Sequence, residues 1–205
     1  MAEVSMKTIR NPNHPKKGQC ITVEPIRDPE ALAAISRMLS SQPRNLLLFT
    51  MGINNGLRTG DLLKLKIKDV SGLSVGSYIN IRESKTGKTN VLVANQKVYE
   101  ALSNYLPTCN LIDNDYLFKS RKGSGPLKVQ AVNGYIKTWT QEVGLEGNYG
   151  AHTLRKTWGY HQRKTYGVSF EIIARRFNHS NPEVTMRYLG IEDKEVHEIL
   201  LNTIG

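Results

Sequence analysis

Apolar residues recur at helical spacing along most of the chain and at strand spacing in one short stretch. Asp28-Pro29-Glu30 offers a capping side chain, a proline suited to a first turn and an early acid. Leu32, Ile35 and Leu39 follow at i, i+3 and i+7, which predicts an amphipathic helix of about 12 residues. Pro43 opens a second, more buried helix carrying Leu46, Leu47, Leu48, Phe49 and Met51, and Asn54-Asn55-Gly56 ends it. Leu57 to Lys66 reads as a third helix with Leu62, Leu63 and Leu65 inward. The middle of the chain changes period. Ser77 to Glu83 alternates, with Ile79 and Ile81 on one face and Asn80 and Arg82 on the other, predicting a half-buried strand. Thr89 to Ala94 predicts its partner, with Ser84-Lys85-Thr86-Gly87-Lys88 as the hairpin loop. Helical spacing then predicts helices over about 96–106, 129–143, 151–166, 169–177, 182–189 and 193–203, interrupted by a short DYLF stretch at 115–118. Residues 1–27 have no such period and are expected to form an arm or loop. The pattern describes an α+β fold, mainly α-helical, with one small antiparallel β-sheet.

Composition narrows the class. The 205 residues suit one ordinary domain, and 39% hydrophobic with 22% charged residues supports a buried core rather than wholesale disorder. No apolar run approaches the roughly 18 residues of a membrane span, and the first twenty positions hold no apolar signal segment. Cys20 and Cys109 make neither a disulfide framework nor a CxxC metal pair, so a reducing cytoplasm is the expected setting. The formal net charge is +10, the balance of a domain that binds a polyanion, nucleic acid being the commonest.

Familiar chemical motifs fail one by one. Gly87-Lys88-Thr89 looks like the end of a P-loop, but Arg82 stands where its first glycine belongs and the segment joins two strands. Asp113-Asn114-Asp115 lacks the glycine turn and distal glutamate of a calcium loop. The histidines lack HExxH spacing. No metal or other cofactor is therefore expected. What remains is His152 and Arg155 at i, i+3 on one helix face, Leu154 and Trp158 as a neighbouring apolar stripe, Arg58 just after a tight turn, and His179 and Tyr188 near the end.

Together, GLRTGDLLKLKIKDV (56–70), SKTGKT (84–89), HTLRKTWGYH (152–161) and FNHSNPEVTMRYLGI (177–191) resemble the catalytic domain of the tyrosine recombinases, the lambda-type phage integrases and their relatives. The boxes stand in the family's order and approximate spacing, from about Asp28 to Gly190. The resemblance implies an integrase-like catalytic domain over 28–205 that cuts and rejoins duplex DNA at specific sites without metal or ATP. By motif, Arg58 and Arg155 correspond to the arginines that hold the scissile phosphate, Lys85 to the hairpin lysine, His152 and His179 to the two histidine positions, and Tyr188 to the nucleophile. Lys85 would protonate the leaving 5′-oxygen, with Lys88 in reserve. His152 is open between proton acceptor and phosphate ligand. Lys64, Lys66, Lys68, Arg121, Lys122, Arg163, Lys164, Arg175 and Arg176, with Lys88, are expected to grip flanking phosphates. Asp61 is assigned structurally, orienting Arg58 or capping a turn.

The family's N-terminal core-binding domain is absent from this pattern. The chain is therefore either a fragment of a longer protein or similar to the short recombinases that invert fimbrial promoter segments. Self-association as a tetramer on DNA, from a monomer in solution, and exchange of the 193–203 helix between neighbours are implied by the same resemblance. Two other activities fit the same motifs: a catalytically silent DNA-binding regulator, and a relaxing enzyme like the type IB topoisomerases. Taken singly, each residue also has a plain structural use, such as surface pairing of Arg155 with Glu142 or Glu146.

Overall fold

A computed structural model describes residues 22–191 together with Leu201 and Thr203. Residues 1–21 of the arm expected over 1–27 and, but for those two positions, the helix expected over about 193–203 lie outside the described residues, while 22–27 run without helix or strand.

Helix α1 (Pro29–Met38) starts where the Asp28 side chain accepts from Glu30 N at 2.8 Å, and it buries Ala31 and Ile35. Helix α2 (Pro43–Asn55) is the central element, burying Leu47, Leu48, Phe49 and Met51. Gly56 ends it in the left-handed conformation, and a Cβ there would lie 2.5 Å from the Trp158 ring, so no other residue fits. Strands β1 (Tyr78–Arg82) and β2 (Thr89–Val93) pair antiparallel, from Tyr78 opposite Val93 to Arg82 opposite Thr89. Both ends of the hairpin lie within one or two residues of the alternation read from sequence.

Leu57 to Lys66 departs from expectation. Instead of one helix, the chain makes a single turn, α3 (Thr59–Leu62), runs extended, and makes another, α4 (Ile67–Val70). Tertiary bonds interrupt it. Leu65 O accepts from Leu117 N at 2.8 Å, Lys66 bridges to Tyr116, and Asp61 is drawn towards the hairpin. The DYLF stretch is what pairs with this segment.

Helices α5 (Gln96–Tyr105), α6 (Val129–Glu142), α7 (Ala151–Lys164), α8 (Phe170–Phe177) and α9 (Pro182–Leu189) follow close to their predicted spans. Asn95 caps α5 by accepting from Val98 N at 3.0 Å. The main core gathers α1, α2, α5, α6 and the inward face of the hairpin, with Leu154 of α7 pressed on α2. A Cβ at Gly52 would come 2.5 Å from Leu154 Cδ1, which measures how closely those helices approach. Phe170, Ile173, Phe177, Leu189 and Ile191 form a second, smaller core under α8 and α9, with Trp158 and Tyr188 packed on it. No helix among the described residues is long and apolar enough to cross a membrane.

Candidate active site

The start of α7 is fixed from two sides. Asn133 of α6 accepts from Ala151 N at 3.1 Å, while Thr59 Oγ1 donates to Ala151 O at 2.8 Å. Thr153 closes the turn by accepting from Gly150 N at 3.0 Å. These bonds set the direction of His152 and Arg155. Arg155 is 2% exposed and does not pair with Glu142 or Glu146. Its guanidinium donates to Gly56 O at 2.7 Å and to Phe177 O at 2.6 Å, joining the ends of α2 and α8. Burial lowers its pKa to about 10, which leaves it charged at neutral pH.

Arg58 stands at the start of α3, with Nη1 2.5 Å from Glu83 Oε2. The expectation that Asp61 orients this arginine is corrected. Asp61 Oδ1 instead accepts from Ser84 N at 2.9 Å and Ser84 Oγ at 2.7 Å, because the interrupted helix swings it towards the hairpin. Lys64 Nζ reaches the same Ser84 Oγ at 2.6 Å. Lys85 follows, exposed at the hairpin tip. Arg58, Lys64, Ser84, Lys85 and His152 line one cleft of about 290 Å³.

His152 is exposed on the rim of that cleft. The protein packed beside its ring, and then the charges of Arg155, Arg58, Lys85 and Lys156, hold its pKa below the ordinary value. His179 follows Asn178, whose left-handed backbone (φ 55°) ends α8. Its Nδ1 lies 2.9 Å from Thr185 Oγ1, and burial with the charges of Arg155 and Arg58 pushes its pKa down to about 4. The imidazole is therefore neutral at physiological pH.

Tyr188 completes the group. Its ring stands edge-on to Phe177 at 5.6 Å and to His179 at 5.3 Å, and Lys156 Nζ lies 4.8 Å from its centre. Among the described residues the buried hydroxyl has no hydrogen-bond partner. Burial raises the phenol's pKa, while Arg155 and Arg58 act to lower it. Thus all six motif residues share one neighbourhood: cationic groups from α3, the hairpin and α7 converge on a phenol delivered by α9.

With this geometry in place, sequence comparison decides the family. The profile of the Phage integrase family matches residues 27–195.

The chain belongs to the phage integrase family.

Among integrase relatives, the probable integrase/recombinase YoeC of Bacillus subtilis (strain 168) is 35% identical over 174 residues, covering 83% of this chain and 91% of that protein. A tyrosine recombinase of Pseudothermotoga lettingae is 29% identical, covering 84% of this chain but 63% of its own length. XerA of Pyrococcus horikoshii is 28% identical, and this chain spans 64% of it. The fold agrees: the crystal structure of XerA recombinase superposes with a TM-score of 0.69 at 23% identity, covering 86% of this chain and 64% of that one. XerH bound to palindromic difH substrate, a post-cleavage complex, gives 0.68 at 24% identity over 83% of this chain and 49% of that one.

The basic residues of this integrase divide into two groups. Lys88, Arg121, Lys122, Lys164 and Arg175 are exposed, as are Lys64 and Lys68. Arg163 is half-buried, its guanidinium 4.6 Å from the Phe170 ring centre. Lys66 is half-buried, with its ammonium 5.7 Å from the Tyr116 ring centre. Arg176 departs from the expected phosphate grip. It is half-buried and donates to Asn55 O, to Val91 O at 2.7 Å and to Asn90 Oδ1 at 2.6 Å, tying α8 to α2 and β2. Motif matching passed over Glu83, Asn133, Lys156 and Thr185, each of which touches a motif residue or holds one in place, and Asn90, which bonds Glu83. For Glu83 the signal was present: it continues the inward face of Ile79 and Ile81, where a lone carboxylate needs a cation.

Proposed function

We propose that this chain cleaves and rejoins duplex DNA at specific sites, with Tyr188 as the nucleophile and a 3′-phosphotyrosine as the intermediate. The observation that carries the assignment is the buried Tyr188 hydroxyl, partnerless among the described residues and within electrostatic reach of Arg155 and Arg58.

The chemistry follows from the residue types. A pentacoordinate phosphorus concentrates negative charge on two non-bridging oxygens. Arginine forks bind such oxygens in pairs and keep their charge at any physiological pH. Arg58 supplies a fixed cation in the cleft wall, the buried Arg155 adds a second positive charge within reach of Tyr188, and neutral His179 donates a further hydrogen bond. Tyr188 Oη attacks phosphorus as its proton passes to His152 or to solvent. The P–O5′ bond breaks, its electron pair stays on the 5′-oxygen, and Lys85 gives that oxygen a proton. One phosphoester replaces another, so no ATP is consumed and no metal is required. A 5′-hydroxyl from a second strand reverses the step and joins new partners.

Double-stranded DNA is the substrate, and the exposed basic residues hold its flanking phosphates. Assembly as a tetramer on DNA from monomers in solution, within a cytoplasm, completes the proposal.

A nicked duplex, from which the cleaved fragment diffuses away, tests this on a denaturing gel. The expected product is a protein–DNA adduct that Tyr188→Phe abolishes without loss of fold. An adduct that survives this change would overturn the assignment.

A further inference from the structure

One buried acid beside the cleft has no part in those steps. Glu83 is 1% exposed and follows directly on β1. Its Oε2 accepts from Arg58 Nη1 at 2.5 Å and from Thr86 Oγ1 at 2.6 Å, and its Oε1 accepts from Asn90 Nδ2 at 2.8 Å. Its main chain also clasps the hairpin loop: Glu83 N donates to Lys88 O at 3.0 Å and Gly87 N donates to Glu83 O at 2.9 Å. Asn90 extends the cluster to α8 by accepting from Arg176 Nη1 at 2.6 Å and donating to Arg176 O at 3.2 Å. Burial works to raise the Glu83 pKa, but hydrogen bonds from Thr86, Asn90, Arg58 and Asn178 outweigh it and leave it at about 2. The carboxylate is therefore charged at neutral pH.

The anion touches both halves of the proposed machinery. On one side is Arg58, which spends one terminal nitrogen on it and still lines the cleft. On the other is Thr86, next to Lys85. A buried carboxylate held by several donors does not yield its place to a phosphate, so it acts as a fixed strut. Its charge offsets part of the Arg58 field, and the return is geometry: a misplaced catalytic group of about 1 Å costs on the order of 100-fold in rate.

Given the phosphotyrosine chemistry proposed above, we propose that Glu83 is the positioning residue of this site. It aims Arg58 into the cleft and, through Thr86, sets the loop that presents Lys85. Phosphate grip and leaving-group protonation thus depend on a single buried anchor. A glutamine cannot replace it, because its amide would set a donor against the donors of Arg58, Thr86 or Asn90.

The test is single-turnover cleavage of the nicked duplex by the full chain, with either oxygen or sulfur at the scissile 5′ position. Sulfur leaves as a thiolate and needs no proton donor. Thr86→Val is expected to lose about tenfold on the oxygen substrate and to recover to within about twofold of the parent on sulfur, since only proton delivery is disturbed. Glu83→Gln is expected to lose about 100-fold on oxygen and to remain about tenfold slow on sulfur, because Arg58 loses its anchor as well. Parental cleavage of both substrates by a folded Glu83→Gln overturns the inference. So does a Thr86→Val defect of equal size on both substrates. Thr86 is exposed, so that pair of measurements decides the matter even if Glu83→Gln does not fold. A parent protein that forms no adduct with either substrate would overturn the phosphotyrosine proposal instead.

Discussion

Arg155 is joined to Phe177 twice: it donates to the Phe177 carbonyl at 2.6 Å, and its guanidinium carbon lies 4.3 Å from the centre of the Phe177 ring. The residue that would hold the phosphate is thus also a rivet between α7 and α8. Lysine keeps the charge but lacks the planar fork that meets two carbonyls and a ring face. Arg155→Lys should lower single-turnover cleavage about 100-fold or more. It should also destabilise the fold by about 1–3 kcal/mol through its unpaired acceptors, read from denaturant melts.

The histidines make stability depend on acid in a definite direction. His179 has a folded pKa of about 4, below the ordinary value of about 6.5, so the unfolded chain binds its proton more readily. Its contribution is complete above about pH 6.5 and is lost as pH falls through about 4, with a slope of up to about 1.4 kcal/mol per unit. His152 shifts in the same direction. Denaturant melts between about pH 7.5 and about pH 4.5 should show this decline, and His179→Gln should flatten it. A parallel decline in the variant would place the titration elsewhere.

Gly159 marks where α7 meets α8 and α9, the latter carrying the proposed nucleophile. A Cβ there would lie 2.7 Å from Phe177 Cζ and 2.9 Å from Leu189 Cδ2, so Gly159→Ala must push the Phe177 ring of α8 and the Leu189 end of α9 outwards. Overpacking of this kind costs about 1–3 kcal/mol. Because Tyr188 sits next to Leu189, adduct formation should fall more than DNA affinity, measured on the same duplex by gel and by anisotropy.

Two adjacent arginines should behave differently. Arg175 is exposed, and Arg175→Ala should reduce the salt slope of DNA binding by about 0.9 while leaving the melt unchanged. Arg176 is committed to Asn55 O, Val91 O and Asn90. Arg176→Ala should instead lower stability by about 1–3 kcal/mol as those acceptors lose their donor. Equal salt slopes for the two variants would contradict this division.

Much of this was legible in the chain because the signals were local. Alternation at Ile79 and Ile81 placed the hairpin, and the capping residue Asp28 stood at a helix start. The six motif residues stood in an order that implied convergence before any distance was known. What failed was non-local. Leu57 to Lys66 has helical periodicity, yet Leu117 and Tyr116 take its backbone bonds from fifty residues away. Arg176 looked like any surface cation because its acceptors are carbonyls, which no side-chain pattern reveals. Arg58 found an unexpected partner for the same reason: three residues' separation favoured Asp61, while the sheet brought Glu83 there instead.

The chain has two apolar cores of unequal size, and the active groups are divided between them. Arg58 follows the large core's central helix, whereas Tyr188 rides on the small core under α8 and α9. Fewer buried side chains mean a lower free energy of local opening, so α8 and α9 are expected to loosen before the large core does. With Tyr188 as the proposed nucleophile, strand breakage would then wait on the closing of that smaller unit.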